Sequence, residues 1–255
     1  MPVGLHNIIH PDEGIVIDIM GIRNSALLLL LISGIAHAEI SEQQFAADCA
    51  KIPDYARQGE QFYKAKNYAN ARAAFEKQVI WSEGCQLDDK ARATAYNNVA
   101  LTWMREGEWR KARAWLMIKP DDRKSVYNLG LIKDKLAALP TPSTAAGEYW
   151  NYVGLSTWET LSIKPLKNKS DYQVDFQGYY FGMMAIYYGP NMGEFSEKVT
   201  LKNNAGVIAL REGDYIHCDI SLTVSPDTID VKTDDPIQCG FGANVSADGR
   251  YLRVD

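Results

Sequence analysis

After residue 38 the side chains with reactive potential are few: Cys49, Cys85, Cys218, Cys239 and a single histidine, His217. Four cysteines can form two disulfides, ligate a metal or supply a thiolate. No pair has C-x-x-C spacing, which argues against a metal site. Two cysteines fall in the first half of the chain and two within its last forty residues, which points to the pairs Cys49–Cys85 and Cys218–Cys239. An even cysteine count in an exported chain favours such bridges, and paired cysteines leave no thiol nucleophile. His6, His10 and His37 precede residue 39, so a multi-histidine metal centre is ruled out and a Ser-His-Asp triad would depend on His217. That residue sits on the polar phase of an alternating segment, beside no nucleophile motif. No phosphate-binding loop, dinucleotide glycine pattern or H-E-x-x-H helix occurs. Asp88-Asp89 and Asp234-Asp235 read as solvated loop acids. Two acids distant in sequence could still meet as a glycosidase pair. The chemistry therefore leads us to expect a protein that is not an enzyme and has neither metal nor cofactor, with a carboxylate-type hydrolase as a remote alternative.

The compartment follows from the front of the chain. Met20-Gly-Ile-Arg23 supplies a start and a positive charge. Ser25 to Ile35 is an apolar run, and Ala36-His37-Ala38 has the small-x-small pattern of a signal peptidase site. We read residues 20–38 as a cleaved signal peptide and residues 1–19, acidic and without lysine or arginine, as untranslated. The rival reading is an uncleaved anchor, but the run is shorter than the roughly 20 residues of a spanning helix. The expected product is soluble, not membrane-spanning, and periplasmic. Residues 1–38 hold three acids and one base; removing them from the chain's 32 acidic and 27 basic residues leaves a charge of −3. A nucleic-acid binder would need a basic face, so no nucleic acid is expected as a partner.

Residues 39–139 carry an internal repeat at a spacing of 41. Tyr55 matches Tyr96, Gly59 matches Ala100, Phe62 matches Trp103, Ala71 matches Ala112 and Phe75 matches Leu116. Within each copy these residues fall three or four apart, on one helix face. Breaks at Lys66-Asn67 and Gly107-Glu108 divide each copy into two helices. The extra residues of the long period fall in Trp81–Lys90, a loop that Cys85 would pin near Cys49. Tyr127-Asn-Leu-Gly130-Leu-Ile132 starts a third copy that Pro140-Thr-Pro142 cuts short. These residues resemble the tetratricopeptide repeat. The resemblance implies a concave surface for a protein segment, lined by Glu60, Tyr63, Lys64, Asn97, Leu101, Met104 and Arg105.

After a linker at 140–146, residues 147–255 change period. Ile216, Cys218, Ile220, Leu222 and Val224 alternate with polar residues, as do Tyr172, Val174 and Phe176, and Ile229 with Val231. Leu161 with Ile163, Val207 to Leu210 and Tyr251 to Val254 add strands, and Asn-, Gly-, Ser- and Pro-rich turns separate them. The expected class is α+β: tetratricopeptide-like helix pairs followed by a small antiparallel β-barrel or β-sandwich. Dense aromatics at Tyr149–Tyr152, Tyr179–Phe181 and Tyr187-Tyr188 require some rings to be exposed or to meet the helices. The last segment, Cys239-Gly-Phe-Gly242 through Ser246-Ala-Asp-Gly-Arg-Tyr251, resembles the closing part of small exported bacterial β-domains of the periplasmic lysozyme-inhibitor and immunity type. That resemblance implies a loop bearing Asp248, Arg250 and Tyr251 that enters an enzyme cleft, although Asp248 departs from the pattern and a plain hairpin turn also accounts for Asp-Gly. Compartment and architecture together lead us to expect a non-catalytic protein binder, most concretely an immunity or inhibitor protein that occludes an envelope-attacking hydrolase or secreted toxin. An adaptor in envelope assembly is the alternative.

Overall fold

The computed structural model describes residues 40–182 and 184–255. The untranslated segment and the signal peptide expected at 1–38 lie outside the described residues. Helices come first: α1 (Glu42–Cys49), α2 (Ile52–Lys64), α3 (Tyr68–Gly84), α4 (Asp89–Glu106), α5 (Trp109–Leu116) and α6 (Arg123–Ala137). Side chains fix where they start. Ser41, Asn67, Asp88 and Asp122 each accept a backbone N–H from the first turn of the helix that follows. Gly107, left-handed at φ 80°, closes α4. The segment expected as a loop at 81–90 is mostly helical: α3 runs to Gly84, and only residues 85–88 separate it from α4. Burial of Ser82 and the Asp88 cap extend helix into that stretch from both sides. The Cys49–Cys85 disulfide ties α1 to the end of α3.

The helices share a core of Ala71, Phe75, Val79, Tyr96, Val99, Ala100, Ala112, Trp115, Leu116 and Ile132. Small residues at Ala71, Ala100 and Ala112 let backbones approach. At Gly59 a methyl group would lie 2.4 Å from the Phe75 ring, so α3 packs directly on that glycine.

Eight strands follow: β1 (Gly147–Gly154), β2 (Thr157–Pro165), β3 (Asp171–Tyr180), β4 (Asn191–Thr200), β5 (Ala205–Glu212), β6 (Ile216–Val224), β7 (Thr228–Thr233) and β8 (Gly249–Arg253), with a one-turn helix α7 (Ala185–Tyr188) between β3 and β4. They form one antiparallel sheet in the order β4-β3-β2-β1-β8-β7-β6-β5. Every chain neighbour except β4–β5 is paired, and β8 returns to β1 through Tyr149↔Arg253 and Trp150↔Leu252. The result is an up-and-down, nearly closed barrel, which decides between the barrel and sandwich alternatives. Inward side chains fill it: Tyr149, Leu161, Val174, Phe176, Ile208, Ile220, Leu222, Ile229 and Tyr251 are all essentially inaccessible.

The open seam lies between β4 and β5. At the end where β4 begins it is plugged by the segment after Cys239. Gly242 N–H donates to Met192 O at 2.9 Å, and Phe241 packs against Phe176 and Phe195. The Cys218–Cys239 disulfide holds the base of this plug to β6.

Helices and barrel interlock through the β1–β2 hairpin, whose Tyr152 and Trp158 pack into the helical core against Trp115. The hairpin turn puts Leu155 and Ser156 at φ 46° and 61°, a conformation non-glycine residues rarely adopt. Glu83 of α3 holds it: the carboxylate accepts from Leu155 N–H and from the hydroxyls of Tyr152 and Tyr96. On α5, Arg110 and Arg113 donate to the carbonyls of Asp255 and Arg253, and both face Asp227 at 3.6 Å.

Candidate functional site

The helical candidates divide into three groups. Tyr63 on α2 and Arg105 on α4 come together: Arg105 Nε donates to the Tyr63 hydroxyl at 2.6 Å, and the guanidinium stands 5.6 Å from the ring centre. Half-buried Leu101 and Met104 lie on the same helix as Arg105. Glu60 and Lys64 form a solvated ion pair one turn apart, 3.6 Å long. Asn97 is a correction. It is buried, its amide donates to Ala93 O at 2.8 Å and to Ser125 Oγ at 2.9 Å, and its oxygen accepts from Asn128 at 2.7 Å. An amide so fully satisfied clamps α4 to α6 and offers nothing to a partner.

The closing segment also divides. Tyr251 is fully buried on the barrel interior because the register Ile229↔Tyr251 places it on the inward phase of β8. The expected inhibitory loop therefore loses its aromatic residue. Asp248 is exposed, but its carboxylate accepts from Thr233 N–H. Arg250 is exposed and forms a two-point ion pair with Asp230, at 2.8 and 3.1 Å. It stands at the lip of a cleft of about 320 Å³ lined by Met117, Ile118, Trp150, Trp158 and Leu252.

Behind β1 and β8 lies an acid that the sequence reading passed over. Glu159 is 3% exposed, and its Oε2 is 3.0 Å from both Asn151 Nδ2 and the Tyr251 hydroxyl. Burial pushes its carboxyl up to about 7 against three hydrogen bonds that favour the anion, those from Asn151 and Tyr251 and one with the Tyr179 backbone. The signal was present in the sequence: Glu159 shares the inward phase of its strand with Leu161 and Ile163. It is walled off from solvent, so its place is structural. Among the described residues no group of three His, Cys, Asp or Glu side chains is arranged to hold a metal, and every cysteine is paired.

Several accessible apolar side chains lie at one end of the barrel. In an antiparallel meander the β1–β2, β3–β4, β5–β6 and β7–β8 connections share that end. Three of them carry exposed apolar side chains: Tyr188 (67% exposed) between β3 and β4, Tyr215 (78%) between β5 and β6, and Ile237 (92%) between β7 and β8. Tyr180 and Met192, at the adjoining ends of β3 and β4, are exposed as well. The aromatic clusters noted in the sequence thus split. Tyr187 turns to the helices, packing on Trp81 and donating to Asp48 at 3.0 Å, while Tyr180 and Tyr188 face solvent. The two disulfides accord with an oxidising, extracytoplasmic location, and no described helix is long and apolar enough to cross a membrane. Comparison with known proteins found no match to this chain among protein-family models, curated proteins or solved structures.

Proposed function

We propose that this is a non-catalytic periplasmic protein-binding protein, an immunity or inhibitor protein that occludes an envelope-attacking hydrolase such as a secreted phospholipase effector or a lysozyme-like enzyme. The observation that carries the reading is the apolar end of the barrel: Tyr188, Met192, Tyr215 and Ile237 stand in solvent on one rim. Tyrosine and large aliphatic groups gathered on one surface are typical anchors of protein interfaces. The barrel interior is filled, so the rim works as a convex surface that covers an enzyme's cleft.

The paired face at Tyr63 and Arg105 favours a second reading, an adaptor that holds a partner segment in envelope assembly. One experiment separates the two. The protein is used as bait in periplasmic extract, including extract from cells producing their own secreted toxins. The captured protein is then purified, and its activity is titrated with wild type and with Tyr215→Asp and Ile237→Asp variants. We expect one stoichiometric hydrolase whose activity falls with added wild type and recovers with the variants. Capture of an assembly component with no enzyme inhibited would leave the adaptor reading. Unchanged inhibition by both variants would remove the barrel rim from the interface.

A further inference from the structure

The helix pairs α2–α3 and α4–α5 are built on small residues. On α2 the ring of Phe75 from α3 lies directly on Gly59, where a methyl group would come within 2.4 Å. On α4, Ala100 is fully buried in one cluster with Ala112 and Leu116 of α5. The third helix of the series, α6, carries Gly130. Among the described residues, a methyl group there would meet nothing within 4 Å. The element that follows α6 is a strand, because the chain passes through Pro140 and Pro142 into β1. Around Gly130 one face of α6 holds Val126 (56% exposed), Tyr127 (67%) and Leu131 (54%), while the opposite face buries Ser125, Asn128 and Ile132. The socket that α3 fills on α2 therefore stands open on α6.

We infer that this face of α6 receives a helix from another protein, which completes the third helix pair by laying a large apolar side chain over Gly130. The charge of α6 defines that helix. Of the charged side chains of α6 four are basic, Arg123, Lys124, Lys133 and Lys135, and one is acidic, Asp134; Arg123 and Asp134 share the face with Gly130, and Lys124 donates to Thr94 of α4 at 2.9 Å. A second copy of α6 would bring the same cations against these. An amphipathic helix with acidic flanks has complementary charge, so the occupant is an acidic amphipathic helix. The socket lies on a different element from the barrel rim and goes beyond the reading given above. Rim variants leave it intact, and its own variants leave the rim intact.

The test uses the full chain and a fluorescein-labelled probe made from its own α3 sequence, Tyr68–Gly84, with Arg72→Glu and Lys77→Glu. A basic counterpart, with Glu76→Lys and Glu83→Lys, is the control. Fluorescence polarisation should show saturable binding of the acidic probe, at least tenfold weaker binding of the basic one, and a tenfold or greater loss in Gly130→Leu and in Leu131→Glu. Circular dichroism and thermal melts report that both variants remain folded, and Gly130→Leu, pointing into open space, should melt no lower than wild type. Absence of binding by the acidic probe, or equal binding of both probes, would overturn the inference. So would a concentration-dependent dimer in sedimentation that Gly130→Leu abolishes, because the socket would then hold a second copy.

Discussion

The Tyr251 hydroxyl lies 3.0 Å from Glu159 Oε2 and 2.9 Å from Ala247 O. A hydroxyl has one proton, and both neighbours are acceptors when Glu159 is ionised. Once Glu159 is protonated, the acid can donate to the tyrosine oxygen while the tyrosine donates to Ala247. The donors around Glu159 nevertheless favour its anion, so burial, and not the hydrogen bonding of the cluster, is what holds it towards the neutral form.

A pH dependence of stability follows. Glu159 is raised from an ordinary carboxyl value to about 7, chiefly by burial, with Asp248 adding repulsion. Between those two values the folded chain binds a proton that the unfolded chain has released. Stability from this group is therefore full below about pH 4.5 and declines until about pH 7, by up to roughly 3 kcal/mol. Glu159→Gln should flatten this slope. Urea denaturation of wild type and variant at pH 5 and pH 8 measures it, and identical slopes for the two proteins would refute the account.

The hairpin anchor gives a second prediction. Glu83 alone satisfies Leu155 N–H and two tyrosine hydroxyls, and burial raises both Tyr96 and Tyr152 far above the usual phenol range. Removing the carboxylate strands buried donors and releases a turn held at two left-handed residues. Glu83→Ala should cost about 2–4 kcal/mol. Because Tyr152 and Trp158 belong to the helical core, helix content and tryptophan fluorescence should be lost in one transition in wild type. Two resolved transitions would mean that the hairpin does not couple the halves.

How much of this was legible in the sequence depends on the range of the forces involved. Local signals read true: the breaks expected at Lys66-Asn67 and Gly107-Glu108 fall between α2 and α3 and between α4 and α5, and Cys218, Ile220 and Leu222 fall on the inward phase of β6, whereas Asp88, read as a solvated loop acid, caps α4. Strands β1 and β4 were not identified, for two different reasons. Trp150, Tyr152 and Trp158 face outward yet pack together or against helices, so no polar phase marks that hairpin. On β4, beside the open seam, only Gly193, half-buried Phe195 and Val199 mark the inward phase, and Glu197 on that phase is exposed, so the alternation is too sparse to read. Among the candidate site residues, Asn97 and Tyr251 were misread because tertiary register, which spacing does not reveal, decides which polar or aromatic group is covered.

The plug at the seam offers a third prediction. The Cys218–Cys239 bridge closes a 21-residue separation and fixes the start of the segment that carries Phe241 and Gly242. Replacing both cysteines with alanine should lower stability by about 3 kcal/mol and loosen the plug. Hydrogen exchange should rise first at Gly242 N–H, whose acceptor is Met192 O. Thiol titration of wild type in denaturant without reductant should find no free thiol; any titratable thiol would contradict the two pairings.

The contrast between Gly59 and Gly130 gives the last prediction. Both occupy helix interiors, where alanine is preferred by roughly 0.5–1 kcal/mol on backbone entropy alone. At Gly130 nothing opposes that preference, and Gly130→Ala should raise stability by about that amount. At Gly59 the new methyl group meets the Phe75 ring. Gly59→Ala must push α3 away from α2, and overpacking of this kind costs about 1–3 kcal/mol, so the net change is a loss. Denaturation of the two variants measured side by side checks both signs. A stabilising Gly59→Ala would show that the α2–α3 contact yields easily, and the unfilled socket on α6 would then lose the geometry that defines its occupant.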